Sequence, residues 1–129
     1  MKTRCIPRPR VGIRVKDLNK SLEFYEGFLG LKIMNRHQVK KTKGEVVNLG
    51  NDYNDFIIEL GSYAEDSQFN TEYVVGEALD HLSFAVGDLD SAIEEAKSNG
   101  YPVPLEIEEA GRRWAYIEDP NGIWIEFHS

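Results

Sequence analysis

Two glutamates stand where strand patterning would put apolar side chains. In Phe56-Ile57-Ile58-Glu59-Leu60, Glu59 shares a face with Ile57 and Gly61. In Ile123-Trp124-Ile125-Glu126-Phe127-His128, Glu126 shares a face with Trp124 and His128. A carboxylate among bulky apolar neighbours is costly to desolvate unless it has a partner. Two basic side chains, Arg10 and His81, occupy matched places on other strands. Two carboxylates and an imidazole converging on one cavity would bind a divalent metal ion. Taken singly, each residue reads more readily as a solvent-facing strand residue or a satisfied histidine. What ties them together is an internal repeat.

The repeat is carried by a strand that runs into a capped helix, written twice. Arg10-Val11-Gly12-Ile13-Arg14-Val15-Lys16-Asp17-Leu18 puts Val11, Ile13 and Val15 on one face and Arg10, Gly12 and Arg14 on the other. Asp80-His81-Leu82-Ser83-Phe84-Ala85-Val86-Gly87-Asp88-Leu89 does the same with Leu82, Phe84 and Val86 against His81, Ser83 and Ala85. Asp17 and Asp88 stand at the helix N-caps. Arg10 and His81, like Asp17 and Asp88, are separated by 71 residues. Glu59 and Glu126 are separated by 67, a difference short loops absorb.

The elements follow from period and punctuation. After the first strand a helix is expected from about Leu18 to Leu29, stopped at Gly30. Strands are expected at Leu31–His37, Glu45–Leu49 and Asp55–Leu60, with the polar, lysine-rich stretch 38–44 as a loop. Residues 61–79 carry no sustained period and suit a connection. The second half repeats: strand Leu79–Val86, helix Leu89–Asn99, extended residues 103–107, strand Trp114–Glu118, the turn Asp119-Pro120-Asn121-Gly122 and strand Ile123–His128. Residues 1–9, with Pro7 and Pro9, read as an irregular arm. The expected fold is α+β: two βαβββ modules, at about 10–61 and 79–129, joined by 62–78 within one domain spanning 1–129. Their mixed sheets would pack around a central cavity with helices outside. Leu22, Phe24, Tyr25, Phe28, Ile93 and Ala96 read as core.

Composition narrows the function classes. The chain has 129 residues, 41% hydrophobic and 29% charged, as in an ordinary soluble domain. A net charge of −7 argues against a general nucleic-acid binder, and no apolar run approaches the ~20 residues of a membrane span. One cysteine, Cys5, permits no intrachain disulfide, and the N-terminus has no signal-peptide core; the cytoplasm is the expected compartment.

The chain resembles the vicinal oxygen chelate superfamily, and within it the glyoxalase I (lactoylglutathione lyase) branch. The resemblance rests on Ile13-Arg14-Val15-Lys16-Asp17-Leu18, Ser21-Leu22-Glu23-Phe24-Tyr25, Leu29-Gly30-Leu31, Asp80-His81-Leu82 and Ile117-Glu118-Asp119-Pro120-Asn121-Gly122-Ile123-Trp124-Ile125-Glu126. It implies the paired βαβββ fold, a homodimer, a small-molecule substrate and a divalent ion, nickel or zinc. Carried over residue by residue, it implies Glu59, His81 and Glu126 as metal ligands. The reaction implied is isomerisation of the hemithioacetal of a 2-oxoaldehyde and a thiol through a metal-stabilised enediolate, with Glu126 as general base and Glu59 facing the other side.

The first ligand position departs from the pattern. It holds Arg10 in place of His or Gln, and a guanidinium offers only donors. A unit charge about 4 Å from a divalent ion costs roughly 8 kcal/mol at an effective dielectric of ~20. Arg10 therefore either swings away, leaving three protein ligands, or replaces the ion by bridging Glu59 and Glu126. The second case describes a metal-free binding or sequestering protein like the bleomycin-resistance branch. Other superfamily activities (epimerase, dioxygenase, thiol transferase) fit less well, since an iron dioxygenase site wants two His and one carboxylate. For the substrate, the resemblance implies Arg14 as a carboxylate clamp. It also places Tyr63 where the family has asparagine, and Glu77 where it has arginine, which argues against glutathione as the thiol. Arg112 and Arg113 are the alternative anion-binding residues.

Overall fold

The computed structural model describes residues 10–77, 79 and 81–129. The expected N-terminal arm and Cys5 lie outside the described residues. The chain divides into two compact units, residues 1–72 and 73–129. Among the described residues no helix is long and apolar enough to cross a membrane.

The first unit runs β1 (Arg10–Arg14), α1 (Leu18–Leu22), β2 (Lys32–Val39), β3 (Gly44–Gly50) and β4 (Ile57–Tyr63), with sheet order β1-β4-β3-β2. β1 is parallel to β4, and the other two pairings are antiparallel. Asp17 caps α1 by accepting from the Lys20 N–H at 3.1 Å. The expected single helix to Leu29 is two pieces: after Leu22 the chain widens into a π-helical segment, Glu23–Phe28. The adjacent residues Phe24 and Tyr25 are both fully buried. Consecutive α-helical side chains diverge by about 100°, so the wider turn suits a chain that must bury both rings on one side.

The second unit runs β5 (His81–Ala85), α2 (Leu89–Ser98), β6 (Leu105–Glu109), β7 (Arg112–Glu118) and β8 (Trp124–His128), in the order β5-β8-β7-β6. Again the first strand is parallel to the last. Asp88 caps α2 through the Ser91 N–H at 3.0 Å. The two caps share their backbone angles almost to the degree, φ −136° and ψ 107° at Asp17 against −138° and 107° at Asp88. The repeat read from sequence therefore extends to local geometry.

In each unit one sheet face is sealed and the other is left more open. Ile13, Val47, Leu49, Ile58 and Leu60 make the closed face of the first sheet, and Leu82, Ala115, Ile117, Ile125 and Phe127 that of the second. The strand ends differ from those expected. β2 runs on to Val39 and β3 starts at Gly44, confining the lysine-rich loop to a 3₁₀ turn at Lys40–Thr42 with its exit. β4 runs on to Tyr63, so the connection begins at Ala64. β7 starts at Arg112, two residues before the expected start.

Candidate active site

The open face of the first sheet is built by alternation from β1 and β4. Register pairs Arg10 with Ile57, Gly12 with Glu59 and Arg14 with Gly61. Glu59 therefore shares a face with all three β1 residues. Arg10 Nη1 donates to Glu59 Oε2 at 3.0 Å, both side chains being partly exposed. Arg10 is bound to one of the two glutamates it was expected to bridge.

On the other side of Glu59 the same row continues through Asn48 and Asn35. Asn48 is buried and donates its amide to Asn35 Oδ1 at 2.8 Å, while its own Oδ1 has no partner among the described residues. A cavity of about 360 Å³ is lined by Gly12, Arg14, Val46, Glu59, Tyr63 and Phe69, among others. Tyr63 stands against Phe69 with ring centroids 5.6 Å apart. Arg14 donates Nη1 to the Thr71 carbonyl at 3.0 Å and Nη2 to the Glu72 carbonyl at 3.2 Å. The expected carboxylate clamp is thus engaged with the main chain of the connection, because carbonyls close by satisfy its fork.

In the second unit, register sets His81 opposite Trp124 and Ser83 opposite Glu126. The Ser83 hydroxyl donates to Glu126 Oε2 at 2.6 Å, and His81 Nε2 lies 3.9 Å from the same oxygen. Tyr116 pairs with Glu126 from β7. Its ring meets His81 edge-on at 5.6 Å and Trp124 at 5.2 Å. A cavity of about 540 Å³ is lined by Arg112, Arg113, Trp114, Glu126 and His128, among others. Ser83 was visible in the sequence as the alternate neighbour of His81, but only the parallel pairing with β8 showed which side chain it would meet.

Arg113 is the predicted site residue whose charge is spent elsewhere. It forks onto Asp90 in the first turn of α2, at 2.7 and 3.3 Å. That bond and the guanidinium charge hold the Asp90 carboxyl below its ordinary range, and Asp90 in turn raises Arg113. Strand alternation is the reason, since Arg112 and Arg113 take opposite faces of β7. Both arginines line the cavity beside Glu126, and Arg113 does so with its guanidinium committed to Asp90.

The β7–β8 turn sets where Glu126 falls. Asp119 is buried; its Oδ1 accepts from the Asn121 and Ile123 N–H groups at 2.8 Å each, and its Oδ2 from the Asn121 amide at 2.8 Å. Gly122 completes the turn at φ +79°, where a Cβ would meet Val75 Cγ1 at 3.0 Å.

Within neither unit, among the described residues, is a group of three His, Cys, Asp or Glu side chains assembled as a metal centre. His81 with Glu126 supplies two donors in the second unit. Glu59 in the first is held by a fixed cation.

Two four-stranded mixed sheets, each a βαβββ unit with one glutamate on the open face of its last strand, define the class. A family model for the Glyoxalase/Bleomycin resistance protein/Dioxygenase superfamily matches residues 8–127, and the chain belongs to that superfamily. It is 32% identical over 124 residues to a lactoylglutathione lyase of Neisseria meningitidis, covering 89% of this chain and 84% of that one. It is 34% identical over 122 residues to the uncharacterised protein YwbC of Bacillus subtilis, covering 90% and 91%. Among solved structures, the trypanothione-dependent glyoxalase I of Leishmania major superposes with a TM-score of 0.77 at 25% identity, covering 97% of this chain and 87% of that one. A glyoxalase family protein from Bacillus cereus superposes at 0.81 and 19% identity, covering 98% and 96%, a likeness of fold.

Proposed function

We propose that this protein is a glyoxalase I-type lyase that isomerises the hemithioacetal of a 2-oxoaldehyde and a thiol. The observation that carries the reading is the equivalence of Glu59 and Glu126. Each sits at the same register place of its unit, opposite Gly12 or Ser83, with a basic side chain two residues earlier on the neighbouring strand. The named lactoylglutathione lyases at 28–32% identity over most of the chain support it.

In this reading Glu126 is the general base. It takes the proton from the carbon bearing the hydroxyl and sulfur, and the electron pair of that C–H bond moves into the enediolate. The same proton returns to the adjacent carbon while the hydroxyl proton passes to the former carbonyl oxygen, giving the 2-hydroxyacyl thioester and restoring the carboxylate. His81, Glu126 and Glu59 would hold a divalent ion, nickel or zinc, three donors rather than four because Arg10 cannot ligate. A bound ion would supply positive charge opposite the oxygen anion that develops. Glu59 would have to give up its bond to Arg10 to serve as a donor. The compartment is the cytoplasm and the assembly a homodimer.

The Arg10–Glu59 pair favours a second reading, a metal-free member of the same superfamily that binds or sequesters its ligand. One preparation separates the two. Protein purified without chelator is assayed for metal by elemental analysis and for thioester formation from methylglyoxal and a thiol. A stoichiometric ion with turnover, both lost in His81→Ala, is expected. Protein that neither holds nor takes up an ion, and turns nothing over, supports the binder.

A further inference from the structure

The glutamate proposed as base is held by a residue that the repeat does not duplicate. Ser83 faces Glu126 across the β5–β8 pairing and donates to Oε2 at 2.6 Å. His81 approaches that same oxygen at 3.9 Å. Oε1 is not used in either contact. The counterpart of Ser83 in the first unit is Gly12, opposite Glu59, with no side chain and nothing within 4 Å of where a Cβ would lie.

We propose that Ser83 is a positioning residue: its hydroxyl fixes Glu126 by Oε2 and leaves Oε1 as the oxygen that takes the substrate proton. A glutamate side chain has three rotatable bonds, and its terminal torsion is broad and roughly two-fold. Left alone it would present either oxygen over a range of angles. A charge-assisted O–H···O⁻ bond from a strand residue removes that freedom before substrate arrives, and pre-set geometry is worth most in the proton-transfer step. This role deepens the lyase reading and, as far as turnover is concerned, rests on it.

The test compares Ser83→Ala with Ser83→Thr, which keeps the hydroxyl on a strand that tolerates β-branching. With methylglyoxal and glutathione, or methylglyoxal and cysteine, Ser83→Ala is expected to lower kcat about ten-fold or more, with KM within about two-fold, as loss of a hydrogen bond to a charged group implies. Ser83→Thr is expected to recover most of that loss. The carboxyl ¹³C resonance of Glu126, assigned by its disappearance in Glu126→Gln, should move in Ser83→Ala and return in Ser83→Thr. An unchanged kcat, a change confined to KM, or an unmoved resonance overturns the proposal. If the wild type turns over neither hemithioacetal, the lyase reading fails on its own, and the resonance still decides whether Ser83 holds Glu126.

Discussion

The two units are copies in backbone and opposites in how they treat their glutamate. In the first, the row across the open face reads Gly12, Glu59, Asn48, Asn35, and Glu59 is held by a permanent cation. In the second, the equivalent row reads Ser83, Glu126, Tyr116, Leu105, and Glu126 is held by a neutral hydroxyl beside a titratable imidazole. A guanidinium neutralises a carboxylate whatever the pH, whereas a serine leaves its charge in place and only aims it. Duplication therefore fixed where the carboxylates stand, and the residues one strand away set what each can do. The floors differ as well: amides beside Glu59, aromatic rings beside Glu126.

The sharpest way to break this contrast is to give the second unit the first unit's cation. His81→Arg should abolish metal uptake and lower turnover by at least a hundred-fold, a loss of the size expected when a general base is disabled. Retained activity would mean that the proposed difference between the two basic residues has no chemical consequence. The reverse change, Arg10→His, removes the cation from Glu59 and supplies a neutral donor. Zinc or nickel affinity measured by calorimetry should rise by about ten-fold or more, because the charge repulsion removed amounts to several kcal/mol. Unchanged affinity would show that Arg10 does not govern Glu59.

A smaller change sharpens the comparison at the turn that aims Glu126. Asp119→Ala removes a buried acceptor of three hydrogen bonds and should cost about 2–4 kcal/mol in urea unfolding, since each donor left unsatisfied carries its own penalty. A loss below about 1 kcal/mol would mean that the turn forms without it. At the other hairpin of the second unit, Ala110 adopts φ +51° ahead of Gly111 at +75°. Ala110→Gly relieves a left-handed alanine in a two-residue turn and should stabilise by about 0.5–1 kcal/mol. The smallest effect concerns Asp90. Its pKa is lowered by Arg113, so the pair's stabilisation is present above the ordinary carboxylate range and is lost as pH falls through the lowered value. The wild-type advantage over Arg113→Ala in thermal unfolding should therefore shrink on acidification, and shrink in high salt at neutral pH.

Much of this was legible in the residues themselves. The period-two faces, the capping aspartates and the common 71-residue spacing specify two βαβββ units, because strand alternation and helix capping are local properties of the chain. The glutamates on unexpected faces were legible for the same reason. The π-helical widening after Leu22 was not, since it answers to the burial of Phe24 and Tyr25 together, which no window of α-helical spacing contains. Two arginines show the boundary most clearly. Arg14 and Arg113 read as anion clamps until their neighbours were known, and each is satisfied by a group 23 or more residues away in sequence, the carbonyls of Thr71 and Glu72 or the carboxylate of Asp90.

The sequence alone determined that the chain holds two equivalent carboxylates on two repeated strands, with an arginine in one copy and a histidine in the other. Only the tertiary structure decided that Arg10 grips Glu59 and that Ser83, not His81, makes the short bond to Glu126. The physical reason is that alternation assigns a face from the chain's own period, whereas a hydrogen bond depends on the register between strands more than forty residues apart, and register is set by the folded sheet.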